Sequence, residues 1–295
     1  MAVMKDPKTM DEMLVEGTWN IYYVSSLYNF KHDRDALAKD ATDLVTFLRE
    51  ADSRELRPNQ GVTASVRAKN DLTMFMIHEQ VFDVSGNPPQ RLGAFVYYSP
   101  NHGAATSNPN VTNLLLLQGN EALVAHMCAW IQHRYQCIVA LHSVNIQSTS
   151  MEQFAQALFL HISTQPPHDD SDTTIHAPLK ITLRNESDSK IIRSVTVAIP
   201  YRDIQAKHEL QRERRNTLVD QDRMIRSLFV PYCTQLSMDM SSFRLSVVSA
   251  PDCVLDHRGA LSLLRAERAI DILNDVLDIF VVQDVRLPET SDMTF

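Results

Sequence analysis

Five histidine and cysteine residues in one stretch of the chain have the side-chain chemistry of a zinc site: His126, Cys128, His133, Cys137 and His142. Imidazole and thiolate are common zinc ligands in proteins, and a zinc-bound water can act as a hydrolytic nucleophile. Their spacing matches no established ligand pattern, and Trp130 falls between His126 and His133 on the same predicted helix face. A zinc-dependent hydrolase is therefore the alternative function, and an ordinary packed helix is the favoured interpretation.

Other signatures of catalysis do not occur in the sequence. There is no G-x-x-x-x-G-K, G-x-G-x-x-G or G-x-S-x-G pattern, and the seven glycines are all isolated. The four cysteines form no C-x-x-C pair, which is the spacing typical of redox or zinc sites. We therefore predict a protein that is not an enzyme, with no catalytic residues, no metal and no cofactor.

Basic residues in two parts of the chain are candidates for contact with DNA phosphates: Arg54, Arg57, Arg67 and Lys69 in the first, and Arg212 and Arg215 in the second. A few arginines can touch a DNA backbone even when the whole protein is acidic. In the second part acidic residues interleave with the basic ones, which is also typical of a solvated helix face. The net charge of −8 opposes long-range attraction, so DNA contact should be weak or indirect.

The secondary-structure elements that position these residues are predicted to include both strands and helices. Before residue 164, alternating or fully apolar runs predict strands, and apolar residues that recur at helical spacing predict helices. The strands are expected at Thr18 to Val24, Val62 to Lys69, Leu72 to Val84, Arg91 to Ser99, Leu114 to Gln118 and Cys137 to Leu141. The helices are expected from Asp33, which is a good N-cap, from Gly119-Asn120, and from a capping box at Ser150 to Gln153.

After residue 176, the pattern is again of short strands and helices. Strands are predicted at Leu179 to Arg184, Ser194 to Ile199, Phe243 to Ser249 and Ile279 to Gln283, and helices at Asp203 to Arg215, Asp220 to Leu236 and Leu261 to Leu277. The segment between the two halves, TQPPHDDSDTTIH, combines prolines and aspartates without apolar periodicity, as linkers do. We predict an N-terminal α/β domain over residues 1–163, a linker over 164–176 and a C-terminal α+β domain over 177–295.

Composition supports this class. The chain of 295 residues is 44% hydrophobic and 22% charged, as expected of one large or two ordinary globular domains. No apolar run approaches the ~20 residues of a membrane helix, and the charged first fifteen residues give no reason to expect export. The predicted fold class is α+β, with mainly antiparallel sheets covered by helices.

Four segments, in order, resemble the centromere protein L family. The run from Trp19 to Phe30 matches a signature W-x-[IL]-Y-x-V-[ST]-x-L-Y-x-F, and Leu114 to Cys137 matches a leucine-rich strand followed by A-W-[IF]-Q. Ser194 to Ile204 and Leu273 to Phe280 resemble the family's second-domain strand and its C-terminal segment. Residues 52–109 depart from the pattern. We expect the alternating strand residues and the loop residues of the first segment to be structural, so that Trp19, Tyr22, Leu27, Tyr28 and Phe30 fill the N-terminal core.

The resemblance implies a non-catalytic scaffold subunit of the inner kinetochore, located in the nucleus at centromeres. It further implies a heterodimer with centromere protein N, association with other inner-kinetochore subunits, and indirect or weak contact with centromeric DNA and chromatin. The family's partner pairs with the C-terminal sheet, and an edge strand can be extended by another chain. We assign that edge to the two most β-prone segments, through Phe243, Leu245 and Val247 and through Ile279, Phe280, Val281 and Val282. Whether the chain forms a homodimer without its partner is left open.

Overall fold

Ten β-strands and the helices around them make up the described part of the chain. The computed structural model describes residues 9–51, 60–81, 90–100, 113–164, 178–185, 192–213, 224–235 and 242–284. Two compact units, Met1–Val144 and Asn145–Phe295, each contain five antiparallel strands and helices, which confirms the predicted α+β class. Within the described residues no helix is both long and apolar enough to cross a membrane.

The first unit is built on a sheet with the strand order β2-β3-β4-β5-β1. Its elements are α1 (Met10–Leu14), β1 (Trp19–Val24), α2 (Arg34–Ala51), β2 (Gln60–Lys69), β3 (Leu72–Val81), β4 (Gln90–Tyr98), β5 (Asn113–Gln118) and α3 (Glu121–Tyr135). The segment after α3 runs beside β1, where the Val144 N–H donates to the Ile21 carbonyl at 2.9 Å. The short strand expected there is a single bridge between Val24 and Val139.

Local sequence signals explain where these elements begin and turn. Asp33 caps α2 by accepting the Ala36 N–H at 2.9 Å, and Asn120 caps α3 by accepting the Leu123 N–H at 2.8 Å. Each cap satisfies an N–H that the first helical turn leaves without a partner. β2 and β3 are joined by two residues, and the first, Asn70, has φ of 53°, a left-handed conformation that asparagine tolerates.

The core of the first unit is aromatic. Phe75 and Phe95 stack on neighbouring strands with ring centroids 4.6 Å apart, and Trp130 of α3 lies 6.0 Å from each of them. Tyr135, one turn further along α3, meets Trp130 edge-on at 5.6 Å. Such pairs add to the free energy gained by burying the rings, so they help to hold α3 on this face of the sheet.

The second unit is built on a sheet with the strand order β10-β9-β8-β6-β7. Its elements are α4 (Ser148–Thr164), β6 (Leu179–Asn185), β7 (Ser194–Ile199), α5 (Tyr201–Glu213), α6 (Met224–Gln235), β8 (Phe243–Ser249), β9 (Cys253–Asp256), β10 (Ala260–Leu263), a 3-10 turn (Ala266–Arg268) and α7 (Ala269–Asp284). The core is largely aliphatic, and α4 packs on β8 and on α7.

The division between the units differs from the expected boundary. The sequence placed the α4 residues in the N-terminal domain, but α4 buries Phe154 and Leu158 and makes its helix contacts with α5, α6 and α7. The Ser148 hydroxyl also accepts the N–H of Leu245 on β8 at 3.1 Å. The second unit therefore begins at Asn145, and the predicted linker after Thr164 lies outside the described residues.

The C-terminal elements correct two predictions. The segment expected to start a helix at Leu261 is instead the second strand of a β9–β10 hairpin, which turns at Gly259 with φ of 76°. The segment Ile279 to Gln283, expected as a strand, is the end of α7. Its β-branched residues favour a strand locally, but burial at Ile272, Val276 and Phe280 continues the helical spacing and fixes it as helix.

Candidate functional site

The first predicted partner-binding strand lies inside its sheet. β8 pairs with β9 on one side and with β6 on the other. Phe243 and Leu245 are buried, and Val247 is half-buried. The backbone groups of an interior strand are already bonded on both sides, so the assignment of β8 as an open edge is wrong.

The second predicted edge is a helix. Ile279 and Phe280 are 4% and 0% exposed and pack inside the second unit from α7. Val281 and Val282 continue the same helix, and their side chains lie outside the described residues. A helix bonds its N–H and C=O groups within itself, so this segment cannot extend a sheet and its assignment as an edge strand is wrong.

The open strand of the second unit is β7. It pairs with β6 from Ser194 to Ile199, and no other described strand pairs with it. The Asn185 N–H donates to the Arg193 carbonyl at 2.9 Å, which makes this pair one of the hydrogen-bonded ones. Because such pairs alternate along antiparallel strands, the N–H and C=O groups of Ser194, Thr196 and Ala198 point away from β6.

β7 lacks the features by which edge strands resist pairing with other chains. Its sequence, SVTVAI, contains no proline and no charged residue. Val197 and Ile199 are buried, while Ser194, Thr196 and Ala198 are exposed. Natural edge strands are usually defended by charges, prolines or bulges, so an uncharged edge with alternating burial is suited to accept another strand.

The predicted DNA-binding residues are only partly described. Arg54, Arg57 and Arg215 lie outside the described residues, and Arg212 belongs to α5 with its side chain not described. Arg67 and Lys69 stand two residues apart near the end of β2, where they line a cavity of about 570 Å³. Lys69 also forms an ion pair with Asp11 of α1. The structure therefore brings two of the six residues together.

The five candidate zinc ligands are not assembled into a metal site. Among the residues that the structure describes, no group of three or more histidine, cysteine or acidic side chains is arranged to hold a metal ion. Burial raises the pKa of Cys128 to about 11 and also raises the pKa of Cys137, so both remain thiols at neutral pH. His133 and His142 are exposed. These observations give the hydrolase alternative no support.

The aromatic residues that carry the family resemblance are mainly structural. Trp19 is fully buried and its indole N–H donates to the Leu14 carbonyl at 2.8 Å. Phe30 meets the rings of Tyr97 and Tyr135 edge-on at 5.1 and 5.2 Å. Tyr28 is the exception because it is 62% exposed, so the expectation that it fills the core is wrong.

A buried ion-pair network between α2 and α3 was missed by the sequence reasoning. Asp40 is 2% exposed and accepts hydrogen bonds from Arg134 Nε and from the Tyr135 hydroxyl, both at 2.8 Å. The hydrogen bond from Arg134 to Asp40 raises the pKa of Arg134. The pKa of Tyr135 is also raised, and burial is the main cause. The sequence held one indication of this network: Asp40 lies at helical spacing from Leu37 and Leu44, on the apolar face of α2.

The second unit also buries an acid. Asp252, in the turn between β8 and β9, is 3% exposed and lies 3.3 Å from Arg265 Nε and 3.8 Å from Arg268 Nε. His161 of α4 approaches the same carboxylate at 3.8 Å. On α7, burial raises the pKa of Asp275 to about 6. The contacts of Asp252 therefore join the β8–β9 turn to α4 and to the segment that precedes α7.

Comparison with known proteins adds no identification. No protein-family model matches the chain, and no curated protein matches it significantly.

Proposed function

We propose that this protein is a non-catalytic scaffold subunit that resembles centromere protein L and pairs with centromere protein N at the inner kinetochore. The observation that carries the proposal is the uncharged, proline-free outer strand β7. Four sequence segments supply the family resemblance, and the second unit supplies an edge where a partner strand can add. Contact with centromeric DNA and with other kinetochore subunits is a secondary part of the same proposal.

Pairing at β7 is supported by its backbone geometry. The outward N–H and C=O groups of Ser194, Thr196 and Ala198 can form a ladder with an added antiparallel or parallel strand. Thr196 already touches its neighbour strand on the exposed face, with its hydroxyl 3.0 Å from the hydroxyl of Thr182.

The direct test is co-purification with centromere protein N from the same organism. We expect the wild-type chain to form a stable 1:1 complex and the Thr196→Pro variant to lose it. Proline at residue 196 removes an N–H that points outward, so the pairing with β6 is kept while the partner ladder is broken. The matched control is Thr196→Val, which keeps the N–H and should bind as the wild type does.

Each outcome decides a separate part of the proposal. Absence of any complex with the wild-type chain would reject the centromere protein N pairing. Complex formation that Thr196→Pro leaves intact, with its circular dichroism spectrum unchanged, would keep the partner and reject β7 as the edge. If Val197→Pro, which removes an N–H bonded to β6, unfolds the second unit while Thr196→Pro does not, the edge assignment of β7 is supported.

A further inference from the structure

The outer strand of the first unit, β2, borders a cavity whose lining combines charge and apolar surface. The cavity of about 570 Å³ has Arg34, Arg67 and Lys69 on its wall and Met10, Leu37 and Val66 among its apolar lining. No acidic residue lines it. A ligand that fills it should therefore offer acceptor groups of negative charge and at least one apolar side chain.

The cavity is adjacent to unpaired strand backbone. β2 pairs with β3, and no other described strand pairs with its second side. Arg49 donates to the Val62 carbonyl at 3.0 Å, which shows that the backbone groups of Val62 face the open side. Because these groups alternate in direction along an antiparallel strand, those of Ala64, Val66 and Ala68 face the same side.

The two halves of this edge are different. Near Val62 the edge is covered by the Arg49 side chain, whereas near Val66 and Ala68 it opens at the cavity. A strand added there would place alternate side chains on the two faces of the sheet. On one face they would meet Val66 and Ala68, which are half-buried and exposed, and on the other they would meet Arg67 and Lys69.

We propose that the C-terminal half of β2 and this cavity bind an extended acidic peptide of a partner protein, with apolar and acidic residues in alternation, as an added strand. This inference goes beyond the proposed function, because it concerns the other unit and a different partner segment. Backbone pairing would give the affinity, and the cations and apolar pocket would select the side chains.

The same chemistry argues against duplex DNA as the ligand. DNA offers no backbone partner for the N–H and C=O groups of Val66 and Ala68, and its phosphates offer no apolar contact to the half-buried Val66 side chain. Lys69 is also neutralised in part by Asp11. An acidic peptide with a charge at every second residue has a lower charge density than a DNA duplex, so the chain's overall charge of −8 repels it less strongly.

The experiment is a selection of random eight-residue peptides displayed on phage against the immobilised full-length chain, with counter-selection on the Ala68→Pro variant. We expect enriched sequences that alternate Asp or Glu with Val, Ile, Leu or Phe. A synthetic peptide of the enriched sequence is then titrated by fluorescence polarisation. Ala68→Pro, which removes an outward N–H, and Arg67→Glu should each weaken binding by about tenfold or more.

Two controls separate this site from general effects. Ala68→Ser keeps the backbone N–H, and Lys180→Glu makes the same charge change on an exposed residue of the second unit; both should change affinity less than about twofold. No enrichment of acidic alternating peptides overturns the proposal. So does wild-type affinity in Ala68→Pro, or displacement of the peptide by a 20-base-pair duplex that binds more tightly through Arg67. Because Thr196 is not involved, failure here leaves the β7 proposal untouched.

Discussion

The two outer strands β2 and β7 are protected to different degrees. β2 carries Arg67 and Lys69, and Arg49 from α2 covers one of its outward carbonyls. β7 carries no charge, and its exposed positions are Ser194, Thr196 and Ala198. Since unprotected edges invite unwanted pairing, a protein keeps one only where pairing is useful. The contrast therefore favours a strand partner at β7 and a more selective, charge-dependent ligand at β2.

The interiors behind these edges also differ. The first unit has a cluster of aromatic rings and a buried carboxylate, Asp40, bonded by Arg134 and Tyr135. The second unit depends on aliphatic packing by α4 and α7, with Phe280 fully buried. Directional contacts specify one arrangement more strictly than aliphatic ones do. Mutations in the two interiors should therefore show different sensitivities to truncation, charge and pH.

The largest effect should come from Phe280→Ala in the second unit. Removing a fully buried ring leaves a cavity, and we expect the free energy of unfolding to fall by about 3–5 kcal/mol. Chemical denaturation monitored by circular dichroism measures it. Leu264→Ala, at a residue that is 51% exposed, is the control and should change stability by less than about 0.5 kcal/mol. A Phe280→Ala variant as stable as the wild type would contradict the importance of this buried ring to the second unit.

Phe280 also marks the limit of what the sequence could predict. Ser194–Ile199 and Phe243–Ser249 have the predicted bounds, Asp33 was predicted as an N-cap, and a helix was predicted to begin after Gly119-Asn120, because such signals are local. The β9–β10 hairpin was missed because two four-residue strands are too short for a periodic pattern.

Prediction of the partner-binding edge required knowledge of the strand order, which is not a local property of the sequence. Which strand lies at an edge is decided by the order of strands in the sheet, and no local pattern reports that order. β propensity was used as a substitute, and it selected interior β8 and the helical Ile279 to Gln283. The true edge, β7, was predicted as a strand but not as an edge.

The next largest effect should come from Asp40→Ala in the first unit. The variant leaves the buried Tyr135 hydroxyl without its acceptor and the Arg134 guanidinium without its buried carboxylate. We expect a loss of about 2 kcal/mol, mainly because the buried Tyr135 hydroxyl loses its acceptor, whereas the Arg134 side chain is 38% exposed and can be solvated by water. Asp35→Ala is the matched control on the same helix, since that side chain is exposed in the first turn and makes no contact with the described side chains of Arg134 or Tyr135, and it should cost less than about 1 kcal/mol. Equal effects of the two variants would contradict the importance of the network.

A smaller effect on the free energy of unfolding should come from partly buried titratable groups. Its pH dependence is expected to be opposite in the two units. Burial raises the pKa of Asp275 to about 6, with Asp278 and Asp271 adding to the rise. The folded state then binds more protons than the unfolded one, whose aspartate titrates near pH ~4, so this group destabilises the fold increasingly as pH rises from about 4 to 6. In the first unit, burial and Arg91 lower the pKa of His78, so that group destabilises the fold as pH falls below about 6.5.

The measurement is the unfolding free energy of Asp275→Asn relative to the wild type at pH 4 and pH 7.5. We expect the variant to be more stable by up to about 1 kcal/mol at pH 7.5, allowing for solvent screening of a half-buried group, and equal to the wild type at pH 4. The difference between variants cancels His161, whose pKa is lowered by burial and by Arg268. Glu267→Gln makes the same charge change at an exposed residue and should stay within about 0.5 kcal/mol at both pH values. A constant difference at the two pH values would contradict the assignment to Asp275.

The smallest effect should come from Arg49→Ala, which makes β2 more like β7. The variant uncovers the Val62 carbonyl on the open side of the sheet, where water can replace the lost hydrogen bond. We therefore expect a stability loss of only about 0.5 kcal/mol, with Arg49→Lys closer to the wild type. The more informative measurement is self-association by analytical ultracentrifugation. If any self-association of the wild-type chain is lost in Thr196→Pro and unchanged in Arg49→Ala, the pairing occurs at β7. Features of β2 other than Arg49 then also prevent it from pairing with another chain. If Arg49→Ala instead creates a new dimer that persists when Thr196→Pro is added, the guanidinium is the main protection of β2, and the two edges differ by a single side chain.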